Sequence, residues 1–225
     1  MVARRQTLRA ARCAASRFAP GRAPASLELV DPSRFARALA LIDQANAGDP
    51  HMILHDGSAR PKEQVHAGMM SEWVRRLRPE ASEELLLAVR AHHIRRWELP
   101  RAGYPDGRHG YLAWRTELRN RHARELRQIL ETCGYDEPFV ARACAILSKQ
   151  GIARDQEVRT FEDALCLVFL ETQFSGMAAR LDRAKMLGVL RKSISKMSAE
   201  GIAAAMALPL PGHLRSLLLE AAGVG

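Results

Sequence analysis

No stretch of this 225-residue sequence approaches the ~18 unbroken apolar residues of a membrane-spanning helix, so the sequence predicts none and no membrane partner. Cysteine is scarce: Cys13, Cys133, Cys144 and Cys166 form no C-x-x-C pair. That excludes a zinc ribbon or disulfide framework and points to a reducing, cytoplasmic compartment. Fifteen Gly and eleven Pro are too few for a fibrous or low-complexity chain. There is no glycine-rich phosphate loop and no clear run of alternating polar and apolar residues. Acidic residues are missing from the first 27 positions, which hold six arginines.

The net charge of +9 is therefore uneven. Subtracting the six arginines of residues 1–27 leaves +3 for residues 28–225. Within these, residues 90–127 carry ten Arg against Glu98, Asp106, Glu117 and Glu125, and the remainder is net acidic. The first 27 residues are rich in Ala, Arg and Ser and lack a secretory apolar core. They read as a disordered basic extension outside the fold. Their Arg-rich, acid-free composition also suits a mitochondrial transit peptide, the alternative if the source is eukaryotic.

Beyond Asp31 the 3.6-residue period dominates. Asp31-Pro32 opens a first helix with Phe35, Leu39 and Ile42 on one stripe. Further helices are predicted at about 61–78, 81–98, 109–133, 136–149, 160–180, 182–197 and 211–222, with a short one at 198–207. Only residues 99–110, rich in Pro, Gly and aromatics, form a long loop. The expectation is one all-α domain of seven to nine helices across residues 28–225.

Four ionisable residues interrupt apolar stripes. His66 lies with Met70, Trp73 and Leu77; His93 with Leu86, Val89 and Trp97; His122 with Trp114, Leu118 and Leu126; Asp163 with Leu167, Leu170 and Phe174. A buried ionisable group is costly unless paired, hydrogen-bonded or metal-bound. Each histidine alone fits a satisfied core position. Asp163 also fits a capping box, Thr160-Phe161-Glu162-Asp163. Together, one inward ligand from each of four helices suggests a divalent metal site of Zn, Mn, Fe or Ni type.

The order and spacing of His66, His93, His122 and Asp163 resemble the His-Asp (HD) metal phosphohydrolases, an all-α superfamily. Here His92-His93 stands where the His-Asp dyad would fall, leaving Glu98 as the nearby carboxylate. The strings HIRRWELPR (93–101), YPDGRHGYLAWRTELRNRHA (104–123) and FEDALCLVFLETQF (161–174) more closely resemble domain-of-unknown-function family 4202. That resemblance spans residues 31–222 and brings no established activity. Its signature falls on His93, Arg96, Trp97, Glu98, Arg101, Tyr104, Trp114, Arg115, His122, Glu162, Asp163 and Glu171. His66 departs from the pattern. Glu171 reads as paired with an arginine, or as a ligand.

Two functions follow from different classes. One is a metal-dependent hydrolase acting on a small anionic or phosphorylated substrate. His93, His122, Asp163 and His66 would hold the metal, Glu98 would act as general base, and Arg96, Arg101, Arg115, Tyr104 and Trp97 would bind substrate under a lid formed by loop 99–110. The alternative is a non-catalytic helical module that binds RNA or an acidic partner through the Arg-rich 90–127 segment.

Overall fold

The computed structural model describes residues 32–224; the basic extension at 1–27 lies outside the described residues. Ten α-helices and one small hairpin make up these residues, which bear out the all-α expectation. Among them no helix is long and apolar enough to cross a membrane. Helix α1 (Pro32–Ala47) leads into the hairpin of β1 (Met52–His55) and β2 (Ser58–Pro61). Then come α2 (Lys62–Leu77), α3 (Glu83–Arg90), α4 (Gly107–Thr132), α5 (Glu137–Leu147) and α6 (Gln156–Thr172). Helices α7 (Phe174–Ala178), α8 (Arg183–Ile194), α9 (Ala199–Ala207) and α10 (Gly212–Ala222) complete the domain.

The hairpin departs from the sequence reading. Its strands are four residues each, too short for alternation to stand out against a helical background. The legible signal is Asp56-Gly57, whose φ values of 49° and 75° form the left-handed pair that a two-residue hairpin turn requires.

Helix α3 also ends sooner than its periodicity suggests. After Arg90 the chain turns irregularly, with a 3-10 turn at Arg96–Glu98. His93 and Arg95 take left-handed φ values of 63° and 48°. Ile94 between them is fully buried, and the Arg95 amide donates to Asn46 Oδ1 at 3.3 Å. Arg90 anchors the end of α3 with two hydrogen bonds to Asp43, at 2.5 and 2.7 Å. These long-range contacts override the local helical pattern.

Helix α6 joins two apolar clusters. Val158, Phe161, Ala164 and Val168 face a core built with α1–α5. Cys166, Leu167 and Leu170 face a second core built with α7–α10. Each fully buried Phe, Leu or Ile side chain contributes about 1.5–3 kcal/mol, so this spine holds both halves. The helix starts earlier than the sequence suggests, because Asp155 caps it by accepting from the Glu157 and Val158 amides. Thr160 lies inside the helix and donates to the Gln156 carbonyl, so the expected capping box does not form.

Candidate functional site

The buried polar centre grows from α2. Glu63 and His66 sit three residues apart on its inner face, both under 6% exposed. The first turn of α2 has no side-chain cap of its own; instead buried Asp49 accepts the Glu63 amide at 3.0 Å. The irregular turn after α3 brings His92, His93 and Arg96 against this face. His93 Nδ1 lies 3.2 Å from Glu63 Oε2, and His66 Nδ1 lies 3.9 Å from the same oxygen. Arg96 Nη1 donates to His93 Nε2 at 3.1 Å. Since that nitrogen accepts, the His93 proton belongs on Nδ1, facing Glu63.

Helix α4 adds His122, its ring centroid 5.8 Å from that of His93. The His92 and His93 rings lie 3.6 Å apart, and His92 meets Phe161 edge-on at 5.4 Å. Lys149, in the left-handed region at the end of α5 (φ 59°), reaches over Phe161 and pairs with buried Glu162. Lys196 approaches the same carboxylate at 3.4 Å. Arg96 stacks on Trp114, whose indole donates to the Leu99 carbonyl at 2.9 Å.

Burial governs the electrostatics. It pushes the His92 and His93 pKa values well below the ordinary range, helped at His92 by His93 and at His93 by Arg96. His122 falls to about 4 from burial and then Arg96. Burial also lowers His66, against an opposing pull from Glu63. Glu63 is raised by burial and Lys149 lowered by it, whereas the lysines hold Glu162 ionised. The imidazoles are thus neutral at neutral pH. The Nε2 atoms of His92 and His122 are buried with no hydrogen-bond partner among the described residues. Such orphaned atoms in a native fold call for an explanation in terms of water, an ion or function.

The sequence-derived set is partly assembled. His93 and His122 come together, His66 joins them through Glu63, and Arg96 enters the centre. Arg115 stands at its edge, close enough to depress Arg96 and Lys149, and donates to the Tyr111 hydroxyl at 3.2 Å. Asp163 does not join: its two oxygens accept from the Ser198 amide at 2.8 Å and the Ser198 hydroxyl at 2.6 Å, at the start of α9. One residue's rotation along α6 decides this: Glu162, not Asp163, turns to Lys149, the cation whose charge is felt at His92 and His93.

Glu98 lies on the outer surface, paired with Arg121 and Arg95. Arg101 donates to the Tyr104 and Pro105 carbonyls, both at 2.8 Å, and so tethers its own loop. Tyr104 lends that loop its carbonyl, while Trp97 packs at the end of α1 near Gly48. Loop 99–110 is tied down further at Gly110, where a Cβ would fall 2.0 Å from the Pro105 oxygen. Glu171 is exposed and accepts from the Trp73 indole at 2.7 Å, with no arginine paired to it among the described residues.

Glu63, Lys149 and Glu162 complete the centre, and none stood among the sequence-derived candidates for metal, catalytic or substrate-binding roles. As for a metal, two free imidazole nitrogens favour one, but Arg96 occupies the third, on His93. Among the described residues no three His, Cys, Asp or Glu side chains are arranged to hold one metal ion. The side chains as placed therefore do not fit a divalent ion.

A family model described as Domain of unknown function (DUF4202) matches residues 36–218. The chain belongs to this family. The match runs from α1 into α10, so every residue of the histidine centre lies inside the DUF4202 domain. No curated protein and no solved structure matches the chain.

Proposed function

We propose that this DUF4202 protein is a hydrolase of small phosphorylated substrates, with its chemistry at the histidine centre. One observation carries the reading: two buried, neutral, unpartnered imidazole nitrogens stand beside the cations Arg96, Lys149 and Arg115. The cations supply the field that draws an anion inward, and the Arg96 fork has donors to spare for phosphoryl oxygens.

His122 Nε2 is the base in this scheme. In the free protein its pKa of about 4 makes it weak. A negative charge ~4 Å away at an effective dielectric of ~20 contributes about 4 kcal/mol, roughly three pKa units. Bound phosphate thus restores the ring to the range where a base works best near neutral pH. Water oxygen bonds to phosphorus as its proton passes to His122. The ester P–O bond breaks, and the imidazolium returns the proton to the leaving alcohol. The products are the alcohol and inorganic phosphate. Arg96 and Lys149 offset the charge that grows on the phosphoryl oxygens.

The alternative reading, a module binding RNA or an acidic partner, draws less support. Arg90, Arg95, Arg121, Arg124 and Arg127 each already face a carboxylate.

The test is phosphate release from p-nitrophenyl phosphate, nucleoside monophosphates and sugar phosphates, with chelator and with added Mn²⁺ or Zn²⁺. Release should occur in chelator and fall at least ~100-fold in His122→Ala. No release from any of them, or release indifferent to His122→Ala, refutes the reading. Release that requires added metal refutes the metal-free proton transfer.

A further inference from the structure

Beside the histidine centre lies a cleft of about 610 Å³, walled by β1, α2, the end of α6 and α7. That volume is in the range of small-molecule sites. Its apolar lining is Ile53, Leu54, Val65, Met69 and Met177. Leu54 is 79% exposed, an unusual place for a large aliphatic side chain on a concave wall. Two of the five are methionines, whose flexible thioethers adapt to a varied chain.

The lining contains no Phe, Tyr or Trp, so no broad aromatic face is offered to a nucleobase or sugar ring. Its charge is biased. Lys62 and Arg180 line the cleft without an ion-pair partner among the described residues. The one carboxylate in the wall, Glu171, is engaged by the Trp73 indole. His66 forms part of the wall while its Nδ1 faces Glu63, so the cleft borders the centre directly.

We propose that this cleft binds an aliphatic anion, its chain against Ile53, Val65, Met69 and Met177 and its acid group drawn by Lys62 and Arg180. Apolar burial supplies the affinity and the cations select the head group. A carboxylate and a phosphate monoester share this chemistry. The site stands independently of the reaction at His122.

Gly176 provides the test. It lines the cleft, and a Cβ built on it meets nothing within 4 Å. The first side-chain atom thus has room there, and Gly176→Phe sets a bulky ring at the cleft wall. Octanoate, octyl phosphate, 1-octanol and octyltrimethylammonium are titrated below their micelle thresholds by calorimetry. At least one anion should bind ten times or more tighter than the alcohol and the ammonium salt. Tight octanoate alone identifies a carboxylate ligand, and tight octyl phosphate alone a phosphate ester. Gly176→Phe should weaken that anion tenfold or more at unchanged melting temperature. Lys62→Gln with Arg180→Gln should erase the preference over the alcohol. Equal affinity for anion and ammonium salt in the wild-type protein overturns the proposal, whatever the variants do. So does unaltered binding by Gly176→Phe.

Discussion

Asp163→Ala separates the structural carboxylate of α6 from the functional centre. Asp163 is 2% exposed, and both its oxygens accept from Ser198, which in turn caps α9 through the Gly201 amide. A hydrogen bond to a charged group is worth ~1.5–3 kcal/mol, so the pair contributes about 3–6 kcal/mol before costs. Burial opposes this, since it pushes the Asp163 pKa upward despite the Ser198 bonds. A net loss of about 2–4 kcal/mol follows for the alanine variant. In a domain of this size each kcal/mol moves the melting temperature by about 2–4 °C, so a drop of roughly 4–16 °C is expected by circular dichroism. Phosphate release by the folded variant should stay within about twofold of wild type. A double-mutant cycle with Ser198→Ala should return a coupling of at least ~1 kcal/mol. A melting temperature within 2 °C of wild type, together with lost phosphate release, would refute the placement and restore Asp163 to the site.

Gly201→Ala should destabilise by about 1–3 kcal/mol although alanine favours helix, because its Cβ would fall 2.4 Å from Asp163 Oδ1; urea unfolding measures it. Lys149→Met should cost about 3 kcal/mol by leaving buried Glu162 with Lys196 alone, and further Glu162→Gln should recover much of it. Stability should also fall in acid. The folded His122 pKa lies below its unfolded value, so its protonation opposes folding as pH drops from about 6.5 towards 4, by at most ~3 kcal/mol. His122→Gln should flatten that limb of a pH-stability curve, and an unchanged limb would argue against a buried neutral ring.

The helices were legible because their apolar stripes recur over three or more turns. α2, α4, α5, α8 and α10 fall within a few residues of their expected bounds. The centre was legible only in part. His93 and His122 could be found because a histidine interrupts an otherwise apolar stripe. Glu63 was hidden by its place in the first turn of α2, where an acid is the ordinary choice for the helix dipole. Lys149 was hidden because it follows the last turn of α5, where a cation is equally ordinary. Asp163 was misread because Glu162 and Asp163 are adjacent, and periodicity does not resolve which of two neighbouring carboxylates turns towards the histidines. The 3-10 turn that aims His93 and Arg96 depends on Asn46 and Ile94, contacts across the fold that no local pattern encodes.

The backbone itself argues for function over packing. Outside the hairpin turn, the non-glycine residues with positive φ among the described residues are His93, Arg95 and Lys149. Two of these three belong to the histidine centre, and the third flanks it. Each left-handed residue costs of order 1–3 kcal/mol, and each orphaned imidazole nitrogen adds a desolvation penalty of ~1–3 kcal/mol. An aliphatic core at the same junction of α2, α3, α4 and α6 would avoid both costs. Folding alone gives no reason to place four imidazoles, two carboxylates and two cations there. The anion of the proposed reaction would: it would supply acceptors for the cations, raise the depressed histidines towards a useful pKa, and offset the strain when present. Substrate binding and stability are then linked, so inorganic phosphate at 100 times its Kd should stabilise the fold by about 2.7 kcal/mol. That corresponds to a rise of roughly 5–10 °C in melting temperature, which Arg96→Gln should abolish. A protein that saturates with phosphate yet melts at an unchanged temperature would show that the anion does not occupy this centre in the native fold.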